Sequence, residues 1–214
     1  MMTFFLDIYK ILYRYYGPQH WWPAESPFEV MISAILVQNT NWNNVELALQ
    51  QLSPYLEPKR LESLSVEQLA TLIRSSGYYN VKAKRIRAFL TWLKTYDYDL
   101  EKIMQRDGVT LRNELLQING IGAETADCIL VYALEKPYFI VDNYTRRIFY
   151  RVGLDMPKHY DDFQQMVEAY LPKDVALYNE YHALLVEHGK RHCRKKPLCF
   201  SCPLAELCQK RLDD

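Results

Sequence analysis

Two glycines in a Gly-x-Gly arrangement, Gly120 and Gly122, constrain the fold of this chain more than any other feature. Apolar residues at helical spacing on either side predict helices at 111–116 and 123–134. Glycine allows the backbone N–H groups to crowd together at the start of the second helix, where the positive end of its dipole lies. This geometry favours an anion site, often for phosphate, although a plain structural turn would have the same sequence.

The pattern along the rest of the chain predicts an all-α fold. Further helices are expected at 4–16, 28–37, 42–52, from 65 to about 75, 81–96, 100–106, 144–152, 161–171 and 175–188. Ser26-Pro27-Phe28-Glu29 and Ser65-Val66-Glu67-Gln68 are typical of capped helix starts. Pro54 and Pro58 predict a linker, and 138–141 is the one candidate strand.

Charge is balanced in total but grouped along the chain, with 26 basic and 26 acidic side chains. Solvated helix faces would explain any single basic group. Three such groups in a chain that also has the anion turn predict a track for a polyanion. The groups are Arg74, Lys82, Lys84, Arg85, Arg87 and Lys94; Arg146, Arg147 and Arg151; and Lys190, Arg191, Arg194, Lys195 and Lys196.

Four cysteines near the end of the sequence, Cys193, Cys199, Cys202 and Cys208, have the spacing C-x5-C-x2-C-x5-C. No apolar run is long enough to cross a bilayer and the N-terminus has no basic leader, so we expect a cytoplasmic protein with no membrane segment. Thiols stay reduced in that compartment, and the dense cluster therefore predicts a metal site rather than disulfides. Cys128 is predicted to be a core thiol.

The hairpin, the Val141-Asp142 pair and the cysteine cluster, in this order, resemble the endonuclease III superfamily of helix-hairpin-helix DNA glycosylases. The resemblance covers nearly the whole chain. It implies a six-helix barrel at 24–135 with the hairpin at about 111–134, and a second helical domain from 1–23 and 136–214 with the cysteine loop at 193–208. The active site would lie in a cleft between them, and the partner would be double-stranded DNA with a damaged base. We expect a monomer, associated with the nucleoid in a bacterium.

The resemblance also implies roles for individual residues. Asp142 aligns with the catalytic aspartate, which stabilises positive charge on the deoxyribose during cleavage. The same position suits an N-cap of the following helix, and both roles are compatible. Gln38 and Tyr78 align with the glutamine and the wedge residue that fill the hole left by a flipped base. The DNA-binding set implied in this way is Gly120, Gly122, Lys82, Lys84, Arg146, Arg194, Lys195 and Lys196.

One departure from the family pattern bears on the reaction. Bifunctional members have a lysine at the fifth position of the frame that begins at Gly120, and its amine forms a Schiff base with the sugar. This chain has Glu124 there. Because a carboxylate cannot form an imine, the sequence predicts a monofunctional glycosylase that uses water and leaves an abasic site.

Three tryptophans, Trp21, Trp22 and Trp42, resemble those of the 3-methyladenine glycosylase branch. Indole faces attract a flat cationic ring such as an alkylated purine. A hydrophobic plug is the alternative for the Trp21–Trp22 pair, and an oxidised pyrimidine is the alternative substrate. Glu29 is the nearest match to the glutamate of the adenine-mismatch branch and is interpreted as a capping residue.

The cysteine loop resembles the cluster-binding loop of the superfamily, in which the first gap is one residue longer. It implies a 4Fe-4S cluster, with structural zinc as the alternative. A non-catalytic DNA-binding module with such a cluster is the competing function.

Overall fold

The computed structural model describes residues 2–212, with side chains from residue 4 onwards. The predicted all-α fold is confirmed, because the described part of the chain contains helices and no strand. The helices are α1 Met2–Tyr16, α2 Pro27–Leu36, α3 Trp42–Leu52, α4 Pro58–Ser63, α5 Val66–Leu72, α6 Tyr79–Lys94, α7 Leu100–Met104, α8 Gly108–Gln117, α9 Ala123–Tyr132, α10 Asn143–Val152, α11 Tyr160–Glu168 and α12 Val175–Arg191. Short 3-10 turns span Ser53–Tyr55, Arg74–Ser76 and Cys199–Ser201.

The chain forms two compact units. Trp22–Lys136 is the middle unit, and Met1–Trp21 with Pro137–Asp214 is the terminal unit. The boundaries therefore fall at 21/22 and 136/137, compared with the expected 23/24 and 135/136. Among the described helices, none has the length and apolar character that a membrane span requires.

Helix α2 is the centre of the middle unit, and nearly all its residues are buried. The Ser26 hydroxyl caps it by accepting the Glu29 N–H at 3.2 Å, and Pro27 is its first residue. The expected capping box is displaced, because the Glu29 carboxylate accepts the N–H of Glu25, not that of Ser26. The box at Ser65 and Gln68 is complete. Helices α3, α6 and α9 pack against α2.

Two local predictions are wrong. The expected linker at Pro54 and Pro58 is helical, since proline fits the first turn, where its missing N–H is not needed. The candidate strand at 138–141 is an extended segment whose backbone is bonded to side chains instead of to a second strand. Glu168 accepts the Phe139 N–H at 2.8 Å and Gln164 donates to the Phe139 carbonyl at 2.8 Å.

The core of the terminal unit is rich in aromatic rings. Helices α1, α10 and α12 pack together. The Tyr181 hydroxyl donates to the backbone carbonyl of Phe5 at 2.8 Å, which fastens α12 to α1. Fully buried rings fill the space between the helices: Phe5, Phe139, Phe149, Phe163, Tyr178 and Tyr181. This core supports the segment that precedes α10, where Asp142 lies.

Candidate active site

The two glycines of the turn between α8 and α9 differ in the space around them. Gly120 has φ +87°, and a Cβ there would overlap the side chain of Arg85, so this position requires glycine. Gly122 is the N-cap of α9 and contributes no side-chain cap. A Cβ on Gly122 would meet nothing within 4 Å, which leaves room for a ligand beside the first turn of α9.

The Gln38 side chain braces this turn. Its amide nitrogen donates to the Gly120 carbonyl at 3.1 Å and to the Thr125 hydroxyl at 2.9 Å. Its amide oxygen accepts a hydrogen bond from the Arg85 guanidinium. The two hairpin helices are also joined by Arg112, whose Nε lies 2.7 Å from the fully buried carboxylate of Asp127. The turn is therefore held in place before any ligand binds.

Tyr78 projects from the surface. The side chain is 70% exposed and the residue has φ +46°, a left-handed conformation that is uncommon for residues other than glycine. Tyr78 immediately precedes α6, so one residue of the middle unit combines an unusual backbone conformation with an exposed aromatic ring. The wedge role of Tyr78 stays a prediction.

The prediction for Lys82 is wrong, because its ammonium is enclosed. The residue is 1% exposed, and Nζ donates to the carbonyls of Leu36 at 2.7 Å and Ser76 at 2.6 Å. Burial and the charge of Arg85 lower the pKa of Lys82 to about 8. Lys82 joins the ends of two helical segments and cannot reach a phosphate, whereas Lys84 is exposed. Arg85, from the same basic group, is the cation that lies at the turn.

Asp142 caps α10, as the sequence predicted. Oδ1 accepts the backbone N–H of Thr145 at 2.7 Å, and the residue is 9% exposed. Its second oxygen, Oδ2, lies 3.6 Å from Nε2 of His182, which is 5% exposed. Burial acts to raise the pKa of Asp142, but His182 and the Thr145 amide outweigh it, and the pKa lies below its ordinary value. The buried carboxylate is therefore ionised at neutral pH.

The two adjacent tryptophans have partners in different units. The Trp21 ring lies 6.2 Å from the His182 ring in an edge-on arrangement, and Nζ of Lys190 lies 5.2 Å from the Trp21 ring centre, over one face. All three belong to the terminal unit. His182 and Lys190 were missed by the sequence analysis as neighbours of the aspartate and the tryptophan, because both contacts join distant parts of the chain.

Trp22 belongs to an aromatic cluster of the middle unit. Its ring centre lies 5.5 Å from that of Trp42 and 5.0 Å from that of Tyr132. The Trp22 indole N–H donates to the Ser33 hydroxyl at 2.8 Å, and the Trp42 indole donates to Glu46 at 2.8 Å. Each of the three rings is only partly buried, so the cluster has aromatic surface available for a further flat ring. Tyr132 was not among the predicted pocket residues.

The four cysteines of the 193–208 loop line a single cavity together with His188 and Leu204. All four are free thiols. In the described residues, no group of three or more His, Cys, Asp or Glu side chains is arranged to hold a metal ion. The predicted ligands are therefore gathered in one place, but not around one point.

Two arginines from the basic group of Arg146, Arg147 and Arg151 hold this loop. The Arg147 guanidinium donates to the Cys193 carbonyl at 2.7 Å, and Arg151 donates to the Arg194 carbonyl at 2.8 Å. Arg146 is partly buried, with its guanidinium 5.0 Å from the centre of the Phe163 ring. The loop presents three exposed cations, Arg194, Lys195 and Lys196.

Comparison with known proteins identifies the family. A family model described as "HhH-GPD superfamily base excision DNA repair protein" matches residues 32–173. The chain belongs to this superfamily. A putative DNA repair glycosylase of Methanocaldococcus jannaschii is 48% identical over 206 residues, which cover 94% of each chain. Endonuclease III has the same fold as this chain. The match to the structure of a non-covalent endonuclease III–DNA complex has a TM-score of 0.84 at 23% identity, and it covers 98% of this chain and 96% of that one.

A second structural neighbour was solved with a modified base bound. The H. pylori 3-methyladenine DNA glycosylase MagIII, solved bound to 1,N6-ethenoadenine, has a TM-score of 0.78 and 28% identity to this chain. The match covers 87% of this chain and 97% of that one.

Glu124 is the second residue of α9 in this HhH-GPD hairpin, and its side chain is exposed. An acidic side chain in the first turn is stabilised by the positive end of the helix dipole. This position therefore carries a negative charge and no amine. Its carboxylate cannot act as an imine-forming nucleophile.

Proposed function

We propose that this chain is a monofunctional DNA glycosylase of base excision repair that acts as a monomer on double-stranded DNA. It would hydrolyse the N-glycosidic bond of a flipped alkylated purine such as 3-methyladenine. The observation that carries the proposal is Asp142, a carboxylate that is 9% exposed, fixed by a backbone amide and kept ionised.

Asp142 supplies what the reaction needs most. Breaking the C–N bond builds positive charge on the deoxyribose, as in other oxocarbenium-like reactions. A fixed carboxylate beside the sugar stabilises that charge without reorganising, and it can orient the attacking water and take its proton. The low pKa of Asp142 suits the first role, since the group is ionised before substrate binds.

The middle unit supplies the DNA contacts. To expose the bond, the enzyme must extrude the nucleotide and occupy the space it leaves. The open side of Gly122 and the first amides of α9 suit a phosphate, with Arg85 as the cation beside the turn. The exposed Tyr78 ring suits stacking between bases.

The alkylated-purine preference rests on the partly buried indole and phenol rings. Trp22, Trp42 and Tyr132 form one cluster, and Trp21 lies near the imidazole that faces Asp142. A cationic purine gains about 0.5–2 kcal/mol from each aromatic face it meets. It is also a good leaving group that needs no general acid. The base bound to the H. pylori relative, 1,N6-ethenoadenine, is likewise a modified purine.

The monofunctional reaction follows from the missing amine. Glu124 occupies the lysine position. Lys82, a lysine of the middle unit, cannot replace it because two backbone carbonyls enclose its ammonium. Borohydride trapping on duplex DNA that contains an abasic site tests this point. We expect no covalent adduct. A trapped adduct would instead support an endonuclease III-type enzyme with lyase activity.

We also propose that the cysteine loop holds a 4Fe-4S cluster. Four free thiols line one cavity without surrounding a single point, which fits a cluster with one thiolate per iron better than one zinc ion, whose sulfur ligands all lie about 2.3 Å from the metal. The residues that would hold it are Cys193, Cys199, Cys202 and Cys208. When bound, the cluster supplies cross-links that stabilise the loop bearing Arg194, Lys195 and Lys196.

Iron, acid-labile sulfide and zinc measured in the purified protein test the cofactor. We expect a brown protein with iron and sulfide in equal amounts, and loss of the colour in Cys202→Ser. Stoichiometric zinc without iron would overturn the cluster.

Base release from a panel of lesion-bearing duplexes tests the function itself. Methylated DNA and duplexes with 1,N6-ethenoadenine, oxidised pyrimidines and mismatched thymine would be compared under single-turnover conditions, with chromatographic detection of the free base. We expect release to be fastest for 3-methyladenine. Release of an oxidised pyrimidine alone would overturn the substrate class, and DNA binding without any base release would favour a non-catalytic module.

A further inference from the structure

The two oxygens of Asp142 have different partners. Oδ1 accepts the Thr145 N–H at 2.7 Å, which also caps α10. Oδ2 lies 3.6 Å from Nε2 of His182, just beyond hydrogen-bond distance. Contacts of this kind are often long without substrate and shorten in the reacting complex.

The imidazole of His182 stands out on its helix. The residues beside it on α12, Tyr181, Ala183 and Leu184, are fully buried, and His182 itself is 5% exposed. Burying a polar ring is costly unless it meets a polar partner, so packing alone favours an apolar residue here. The buried carboxylate of Asp142 is such a partner.

We propose that His182 is a positioning residue for Asp142, with its Nε2–H directed at Oδ2 and its ring supported by the edge-on contact with Trp21. This inference rests on the proposed glycosylase function. A donor on each oxygen prevents the carboxylate from rotating about its own bond. The carboxylate then meets the developing charge on the sugar in a fixed orientation, which is the condition for preorganised electrostatic stabilisation. Trp21, predicted as a wall of the base pocket, therefore also supports the group that orients the carboxylate.

Two substitutions separate positioning from packing. His182→Phe keeps a flat ring beside Trp21 and removes the donor, whereas His182→Gln keeps an N–H at about the reach of Nε2. The readouts are single-turnover release of 3-methyladenine from methylated DNA and the dissociation constant for a duplex with a tetrahydrofuran abasic analogue.

We expect His182→Phe to slow base release by about 10- to 100-fold while the dissociation constant changes by less than about 2-fold, since only transition-state stabilisation is lost. His182→Gln should return the rate to within about 5-fold of the wild type. An unchanged rate in His182→Phe would overturn the inference. Equal loss in both variants would assign the ring to packing and overturn it as well.

A second measurement does not depend on activity. Urea unfolding of the wild type, Asp142→Asn, His182→Phe and the double variant forms a thermodynamic cycle. Residues in contact should give a coupling of at least about 3-fold in the unfolding constant. Coupling of less than about 1.5-fold would overturn the contact. If the cycle shows coupling but the wild type releases no base from any lesion, it is the proposed function that fails.

Discussion

Replacement of Asp142 by asparagine removes one charge and little else. Asparagine is as good an N-cap as aspartate, so the bond from the Thr145 N–H to the side-chain oxygen should survive and α10 should still form. What is lost is the attraction between the carboxylate and the cationic sugar. At about 4 Å and an effective dielectric constant of about 20, two opposite unit charges attract by roughly 4 kcal/mol. That energy is about a 1000-fold change in rate.

We therefore expect Asp142→Asn to slow single-turnover base release by about 100- to 1000-fold, a range that allows for partial charge in the transition state. Asp174→Asn is the matched control. Asp174 also caps a helix, accepting the Leu177 N–H at 2.7 Å, but it is exposed. Both variants change an N-cap aspartate to asparagine in the terminal unit, and the control should release base within about 2-fold of the wild-type rate.

The same substitution predicts a pH effect. Because the pKa of Asp142 in the folded protein lies below its ordinary value, the carboxylate stabilises the fold above about pH 4, and that contribution is lost as the pH falls through the folded pKa. The wild type should lose stability faster than Asp142→Asn on acidification in chemical unfolding experiments.

The catalytic role of Asp142 has its own test. A folded Asp142→Asn that releases base at more than about a third of the wild-type rate would refute that role.

Three further predictions concern other positions. Gly120→Ala should lower the unfolding free energy by about 1–3 kcal/mol because residue 120 has a positive φ. Gly122→Ala should leave the urea midpoint unchanged and weaken binding to the abasic-analogue duplex. Equal stability of the two variants would contradict this prediction. Between pH 8 and 10.5 the unfolded chain binds more protons at Lys82 than the folded chain does. The unfolding free energy of the wild type should therefore rise relative to that of Lys82→Met as the pH rises. A difference in unfolding free energy that stays constant with pH would contradict this. Lys190→Gln should raise the rate of base release for cationic 3-methyladenine relative to neutral 1,N6-ethenoadenine by about 3-fold or more, because it removes a competing cation from the Trp21 ring. An unchanged ratio of the two rates would contradict this.

The elements predicted well from the sequence are those with local causes. A Ser-Pro start, a Gly-x-Gly break and an aspartate just before an amphipathic segment each specify structure within a few residues. Ser26, Gly120 and Asp142 accordingly have the local roles expected of them. The expected strand at 138–141 has residues with a high strand propensity, but what decides strand formation is a partner. Here the side chains of α11 bond to that backbone instead.

The features that the sequence analysis missed depend on contacts between distant residues. Lys82 appears in the sequence as one member of a basic group, and nothing local indicates that two carbonyls, of Leu36 and Ser76, enclose its ammonium. His182 is 40 residues from Asp142, and only the packing of α12 beside α10 brings the two together. Trp21 and Trp22 are adjacent in the sequence, but they contact different sets of residues, which no local pattern indicates.

Gln38 has two roles that exclude each other, and the conflict leads to a last prediction. To fill the space of a flipped base, its amide must leave Gly120, Thr125 and Arg85. Those hydrogen bonds are worth about 0.5–1.5 kcal/mol each, or more where the charged guanidinium donates. The unpaired base opposite a flipped nucleotide can offer the Gln38 amide hydrogen bonds that replace them. The exchange then frees the Arg85 guanidinium beside the hairpin turn, where it can bind a phosphate in a bidentate manner.

Phosphate binding by Arg85 should therefore occur only on DNA with a hole to fill. We expect Arg85→Met to reduce the slope of log affinity against log salt by about 1 for the abasic-analogue duplex and to leave the slope for an intact duplex unchanged. Lys84→Met, which removes an exposed cation one position away, should affect both duplexes equally. An equal reduction for both duplexes in Arg85→Met would mean that Arg85 contacts phosphate regardless of Gln38, and the proposed exchange would have to be abandoned.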